Sequence, residues 1–183
     1  MIRGKQKNQE IGIVKKQDIS ENQVKIAYLA LGSNLGNKLI NLEKAKLILN
    51  KKIKIVKTSS FYETPSWPNS NFPKFLNIVI KIKTNLKPLA LLNLIKSIEK
   101  KLGRKKTLKN YPRTCDIDII DYNGKIINYK NLQIPHPNLH KRNFVLIPLF
   151  EISKGWFHPV FKVNIANLIS KLGIIKLRSI KQI

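Results

Sequence analysis

Cysteine is almost absent: Cys115 is the only one in 183 residues. A disulfide framework and a cysteine-based zinc site are therefore excluded within one chain. No apolar run reaches the roughly 18 residues that cross a bilayer, so no membrane partner is expected. The first twenty residues are polar and lack the apolar stretch of about 7–15 residues found in a secretory signal. A cytoplasmic, monomeric protein is the expectation. No GxxxxGK[ST] occurs anywhere, which excludes a P-loop. Arginine is scarce too, with five among 35 basic residues. The net charge of +25 invites a nucleic-acid reading. The lysines are scattered, however, and Lys, Ile and Asn are abundant together, as A+T-rich codons would make them. A solvated surface with no specific nucleic-acid face accounts for this, although such a field attracts polyanions at low salt.

Acid is the scarcer charge. There are ten Asp and Glu, and three of them, Asp116, Asp118 and Asp121, fall within six residues. In so basic a chain that cluster points to a bound cation. Residues i and i+2 of a strand share a face, so Asp116 and Asp118 project together while Ile117 and Ile119 pack on the other side. Carboxylates within about 7 Å of each other repel unless a cation lies between them. Hard Mg²⁺ accepts one or two carboxylates together with phosphate oxygens. A strand edge with solvated acids is the plainer alternative. Arg113 and the lysine-rich loop before it favour a polyphosphate beside a metal pair.

Residues 1–23 are polar and aperiodic and read as a disordered extension; 24–183 read as one domain, with no internal repeat and no second core. Val24–Leu31 is an apolar strand. Gly32-Ser33-Asn34-Leu35-Gly36 is a turn, and Asn34 or Asn37 can cap the helix Asn37–Asn50, whose stripe is Leu35, Leu39, Leu42, Ala45 and Leu49. Ile53–Phe61 is β-like, and Thr64–Pro73 is a proline-rich loop. Phe75–Thr84 is a strand with Leu76, Ile78, Ile80 and Ile82 on one face. Pro88 opens a second helix, which Gly103 ends. The basic stretch 104–112 is a mobile loop and Thr114–Ile120 a strand. Asn123-Gly124 signals a hairpin that returns Lys125–Asn128. Pro135-His136-Pro137 is rigid and extended, and Val163–Leu172 forms a last helix. The order β-α-β-β-α-β predicts a ferredoxin-like α+β sandwich, an antiparallel sheet with helices on one face, plus C-terminal additions.

Other residues stand out on their chemistry. Glu99 borders the apolar stripe of the second helix and needs a partner; a neighbouring lysine would serve. Arg104, Arg113 and Arg142 flank the other notable features, and guanidinium forks suit phosphates. His136, clamped between prolines, is a phosphate-contact candidate. Phe75 and Asn77 share a strand face, offering a stacking plane and a donor–acceptor pair to a flat heterocycle.

Several stretches occur together in one order: Ala30-Leu31-Gly32-Ser33-Asn34-Leu35-Gly36, Ser60-Phe61-Tyr62-Glu63-Thr64-Pro65, Phe75-Leu76-Asn77, Ile98-Glu99 with Gly103-Arg104, Pro112-Arg113-Thr114-Cys115-Asp116-Ile117-Asp118-Ile119, Ile134-Pro135-His136-Pro137, and Arg142-Asn143-Phe144-Val145-Leu146-Ile147-Pro148-Leu149. In this the chain resembles the 6-hydroxymethyl-7,8-dihydropterin pyrophosphokinases of folate biosynthesis. The resemblance implies transfer of pyrophosphate from ATP to the pterin hydroxymethyl oxygen, with release of AMP. It implies two Mg²⁺ ions on Asp116 and Asp118, and a triphosphate held by Arg104, Arg113, His136 and Arg142. Ile119 would offer backbone to adenine, with Glu99 supporting the nucleotide side. The pterin would stack between Phe75 and Phe144, its edge read by Asn77 and the backbone of Thr64, Pro65 and Trp67. The chain departs from the family pattern at Lys105 and Lys106, where a second arginine is common. It departs again at Asn110-Tyr111, where a tryptophan is common, and at Ser66-Trp67-Pro68 in place of Pro-Leu-Gly.

Overall fold

The computed structural model describes residues 23–67, 69–104 and 110–183. The expected disordered extension therefore lies outside the described residues, except for Gln23. So do Pro68 and positions 105–109 of the expected mobile loop, Lys105 and Lys106 among them.

The chain runs β1 (Lys25–Ser33), α1 (Lys38–Asn50), β2 (Lys54–Thr58), β3 (Tyr62–Thr64), β4 (Phe75–Thr84), α2 (Pro88–Lys101) and β5 (Asp116–Tyr122). There follow β6 (Ile127–Tyr129), β7 (Leu132–Ile134), a 3-10 turn at Leu139–Lys141, α3 (Asn143–Ile152), α4 (Ile165–Ser170), α5 (Ile174–Arg178) and β8 (Lys181–Gln182). The main sheet is antiparallel in the order β5-β1-β4-β3-β8, with β2 also pairing β4. This is the ferredoxin-like arrangement. The expected Ile53–Phe61 strand is shorter, β2 ending at Thr58, and β3 is a separate strand beyond it. The ladder is interrupted at Ser59, whose N–H donates to Val79 O and whose Oγ accepts from Val79 N–H.

The strand β4 matches its expected bounds. Its Leu76, Ile78, Ile80 and Ile82 meet Leu42, Ala45 and Leu49 of α1 and Leu91, Ile95 and Ile98 of α2 in one core. The expected α1 stripe is shorter than its spacing suggested, since Leu35 and Leu39 are 46% and 50% exposed. Asn37 caps α1 by accepting from Ile40 N–H. Pro88 occupies the first turn of α2, and Gly103 follows it at φ +79°, a conformation glycine adopts without strain.

Two expectations fail here: that helices cover one face, and that there is no second core. A second core lies on the opposite face of the sheet, where Tyr28, Val79 and Ile120 pack on Val145, Leu146 and Leu149 of α3 and Ile165 and Leu168 of α4. The helix α3 reads NFVLIPLFEI, apolar around most of its circumference, because it lies between sheet and α4. The expected last helix, Val163–Leu172, is the shorter α4, which Asn164 caps by accepting from Ala166 N–H, and it is not the last, since α5 and β8 follow it.

The expected hairpin fails as well. Asn123 and Gly124 do turn the chain, with φ +52° and +66°, but β6 pairs with β7 rather than with β5. Asp121 closes the turn locally by accepting from Gly124 N–H, a side-chain bond that competes with a regular ladder.

Candidate active site

Three strands build the site at one rung. Gly32 on β1 lies opposite Asn77 on β4 and opposite Asp116 on β5. Two residues away on the same face, Ala30 lies between Val79 and Asp118. The period of two thus gathers Phe75, Asn77, Asp116 and Asp118 on one side. A Cβ at Gly32 would lie 3.1 Å from Asn77 Oδ1 and 3.4 Å from the Phe75 ring, so a side chain there would push on the Asn77 amide. Above the rung is a cavity of about 600 Å³, walled by Thr64–Trp67 on one side and by Arg142–Phe144 on the other.

Every carboxylate in the site is paired with arginine. Asp116 accepts from Arg104 at 2.6 Å and from Arg113 at 3.0 Å, and Asp118 accepts from Arg142 at 3.2 Å. Behind them, Glu99 is only 2% exposed. It accepts from Arg104, from Lys96 at 3.0 Å and from the Ile117 N–H at 2.9 Å. Burial alone would lower the Arg104 guanidinium; the charges of Asp116 and Glu99 outweigh it and hold Arg104 above its ordinary pKa. The Ile117 N–H points away from β1, so the Ile119 amide points to the same outer edge of β5.

Asp121 is not a third member of this group. The register between β1 and β5 shifts after Leu29, where Ile119 faces Leu29 and Asp121 faces Tyr28. This bulge turns Asp121 into the second core, where it accepts from Trp156 Nε1 at 2.6 Å. Burial raises its pKa, against the hydrogen bonds it accepts. Among the described residues no group of three or more His, Cys, Asp or Glu that could hold a metal ion forms; Asp116 and Asp118 are the carboxylates that line the cavity.

His136 is held below its ordinary pKa, first by burial and then by the Arg142 charge, with Asp118 and Asp116 opposing. Its Nδ1 accepts from Asn138 N–H at 3.1 Å, so the neutral ring is assigned its proton on Nε2. On the other side of the cavity, Asn77 donates to Thr64 Oγ1 at 3.0 Å and to Tyr62 O at 3.4 Å. Those bonds orient the amide and leave its Oδ1 beside Gly32.

Chain comparison decides the family. The family model for 7,8-dihydro-6-hydroxymethylpterin-pyrophosphokinase (HPPK) matches residues 28–154. The chain belongs to the HPPK family. It is 44% identical over 135 residues to the 2-amino-4-hydroxy-6-hydroxymethyldihydropteridine pyrophosphokinase of Aquifex aeolicus (strain VF5), covering 74% of this chain and 84% of that one. It is 42% identical over 156 residues to the Folic acid synthesis protein fol1 of Pneumocystis carinii, a match that takes in 84% of this chain but 21% of that longer protein. Among solved structures, Plasmodium falciparum HPPK-DHPS with pteroate has a TM-score of 0.67 at 21% identity, over 82% of this chain and 42% of that one. At that identity the likeness is one of fold.

Within this HPPK domain the expected site residues divide by position. Thr64, Pro65, Trp67, Phe75, Asn77, Arg113, Asp116, Asp118, Arg142 and Phe144 line the cavity. Arg104 reaches it through Asp116. Glu99 and Ile119 lie behind the lining, Glu99 as the anchor of Arg104 and Ile119 in the first core. His136 sits beside Arg142 and the aspartates without lining the cavity.

Sequence reasoning missed Asn34, which it weighed only as a helix cap. Asn34 Nδ2 donates to Ser66 Oγ and Pro73 O, each at 3.2 Å, and its Oδ1 accepts from Arg113 N–H at 2.8 Å. One buried side chain thus clamps three loops of the site. Asn143 was missed too, although its place between Arg142 and Phe144 was a signal.

Proposed function

We propose that this cavity binds Mg·ATP beside Asp116 and Asp118, binds 6-hydroxymethyl-7,8-dihydropterin beside Phe75 and Phe144, and moves pyrophosphate between them. In this reaction the hydroxymethyl oxygen bonds to the β-phosphorus and the bond from that phosphorus to the α-phosphate oxygen breaks. AMP leaves, the hydroxyl proton passes to solvent, and the pterin diphosphate serves folate biosynthesis. One observation carries the reading. The rung Asn77–Gly32–Asp116 sets Asn77 and Asp116 two strands, or about 10 Å, apart, which supports a pterin on the Asn77 side and phosphates on the Asp116 side. Acceptor and donor can meet between them.

The donor set suits hard Mg²⁺, which takes one or two carboxylates and fills its shell with phosphate oxygens and water. When bound on Asp116 and Asp118, two such ions would neutralise phosphate charge and favour ionisation of the attacking hydroxyl. The remaining work belongs to the chain. Incoming phosphates compete with Asp116 and Asp118 for the N–H donors of Arg104, Arg113 and Arg142, whose planar forks fit phosphate oxygens. The neutral His136 offers its Nε2–H to the same group. The Ile119 amide on the outer edge of β5 suits the adenine edge. Phe75 and Phe144 stack the pterin, and Asn77 Oδ1 accepts from its N–H edge. Phosphoryl transfer asks little covalent work of a protein, so positioning and charge neutralisation dominate, and no dedicated protein base is invoked.

Among the described residues no helix is long and apolar enough to cross a membrane, and small polar substrates suit a cytoplasmic enzyme acting as a monomer. The direct test incubates the protein with Mg·ATP and hydroxymethyldihydropterin and follows nucleotide products. AMP is expected; ADP, or no turnover, overturns the reading.

A further inference from the structure

The two walls of the pterin side come from distant parts of the chain, and one segment, 173–183, is bonded to one of them and to the strand that leads into the other. It lies beyond residues 28–154 matched by the family model. At one end, Asn143 Nδ2 donates to Lys176 O at 2.6 Å and to Ser179 Oγ at 3.0 Å, while Ser179 Oγ donates to Lys176 O at 2.9 Å. The Asn143 side chain is buried in this closed triangle, and its Oδ1 accepts from Phe144 N–H at 2.8 Å. Phe144 is the next residue in the wall, and its ring stacks with the Arg142 guanidinium at 5.5 Å. At the other end, β8 pairs Gln182 with Tyr62 and Lys181 with Glu63, and Ile183 N–H donates to Phe61 O at 2.9 Å. The chain then runs straight into Thr64. Lys176 and Ser179 themselves line the cavity.

We propose that segment 173–183 is a strap that sets the width of the pterin slot, with Ser179 and Asn143 as positioning residues for Phe144. This rests on the pterin reading above. The bonds are specific: Asn143 presents both N–H donors to the strap and its oxygen to Phe144, so the asparagine amide is used at both ends. The strap touches the stacking wall and the strand that leads into the edge-reading wall, and its bonds do not reach Arg104, Arg113, Asp116 or Asp118. Its loss should therefore weaken pterin binding more than nucleotide binding, with Arg142, whose guanidinium stacks on Phe144, as the link to the nucleotide side.

The test measures pterin affinity by calorimetry, with Mg²⁺ and a non-hydrolysable ATP analogue present, and nucleotide affinity separately. In Ser179→Ala and Asn143→Asp, pterin affinity should fall about tenfold, as expected when a buried donor loses its acceptor or is itself removed. Nucleotide affinity should stay within twofold, and Ser179→Thr, which keeps the hydroxyl, should restore pterin binding. Pterin affinity unchanged in both variants, or an equal fall for nucleotide and pterin, overturns the strap while leaving the function standing. Wild-type protein that binds no pterin overturns both.

Discussion

At the residue scale, the site depends on one position without a side chain and two with carboxylates. Gly32 was legible only as part of a turn, because the residues that crowd it, Asn77 and Phe75, lie more than forty positions away. Gly32→Ala places a methyl 3.1 Å from Asn77 Oδ1, so the amide must shift. The pterin KM is expected to rise about tenfold with the ATP KM unchanged, since the loss of one oriented hydrogen bond is about 1.4 kcal/mol. Equal change in both KM values would show a general distortion instead. Asp116 and Asp118 were legible from acid scarcity and strand parity alone. Asp116→Ala or Asp118→Ala is expected to abolish AMP formation while circular dichroism stays that of the wild type. AMP formation retained in either variant would contradict the metal assignment. The third acid of the cluster, Asp121, was misleading: the bulge after Leu29 brings it to the same face of the sheet, but farther along β5, where it is buried in the second core against Trp156.

At the element scale, α2 is fastened to β5 by Glu99, which reaches the Ile117 amide and the Arg104 guanidinium at once. Glu99→Ala leaves the Ile117 N–H an orphan and Arg104 with Asp116 as its remaining carboxylate partner. A buried donor left without its acceptor costs about 1–3 kcal/mol, and urea denaturation should show a loss of that order. Glu99→Gln keeps the acceptor and should cost less. The approach to α4 carries a second device outside the site. His158 is buried against Phe161 and Trp156 with ring centroids at 4.3 and 5.7 Å, and its pKa falls from 6.5 to about 4, first through burial and then through His140. On acidification the unfolded chain takes the proton first. The contribution of His158 is therefore whole above pH 6.5, declines as pH falls, and is gone below about 4. That range corresponds to about 3 kcal/mol. Thermal melts from pH 7 to 4 should show a falling midpoint, and His158→Gln should flatten the slope over that interval; an unchanged slope would remove His158 from the account.

At the scale of the whole molecule, the sheet has a core on each face, and the active site occupies one end of the second. Hydrophobic period alone exposed the first core, because β4 alternates cleanly there. The second was hidden, since Phe75, Asn77, Val79 and Lys81 mix apolar, polar and charged residues on one strand face. That mixture is what a site requires: Val79 packs under α3 while Asn77 and Phe75 wall the cavity. The net charge of +25 also acts at this scale. Association with a polyanion such as RNA should occur at low salt and weaken steeply as the salt rises, because counterion release drives it. Tight binding that persists at high salt would mark a dedicated nucleic-acid surface instead.

Local pattern by itself determined the strand β4, the bodies of α1 and α2, the β-α-β-β-α-β order and the shared face of Asp116 and Asp118. Periods of 2 and 3.6 and the conformational demands of Pro and Gly act between near neighbours, so they are written in adjacent residues. Only the tertiary structure decided that Gly32 separates Asn77 from Asp116, that Asn34 clamps three loops, that Glu99 stands behind Arg104, and that segment 173–183 joins one wall of the cavity to the strand that leads into the other. Each of these depends on strand register and on hydrogen bonds between residues far apart in the chain. Nothing in a local sequence pattern specifies which distant partner a buried amide or carboxylate will meet.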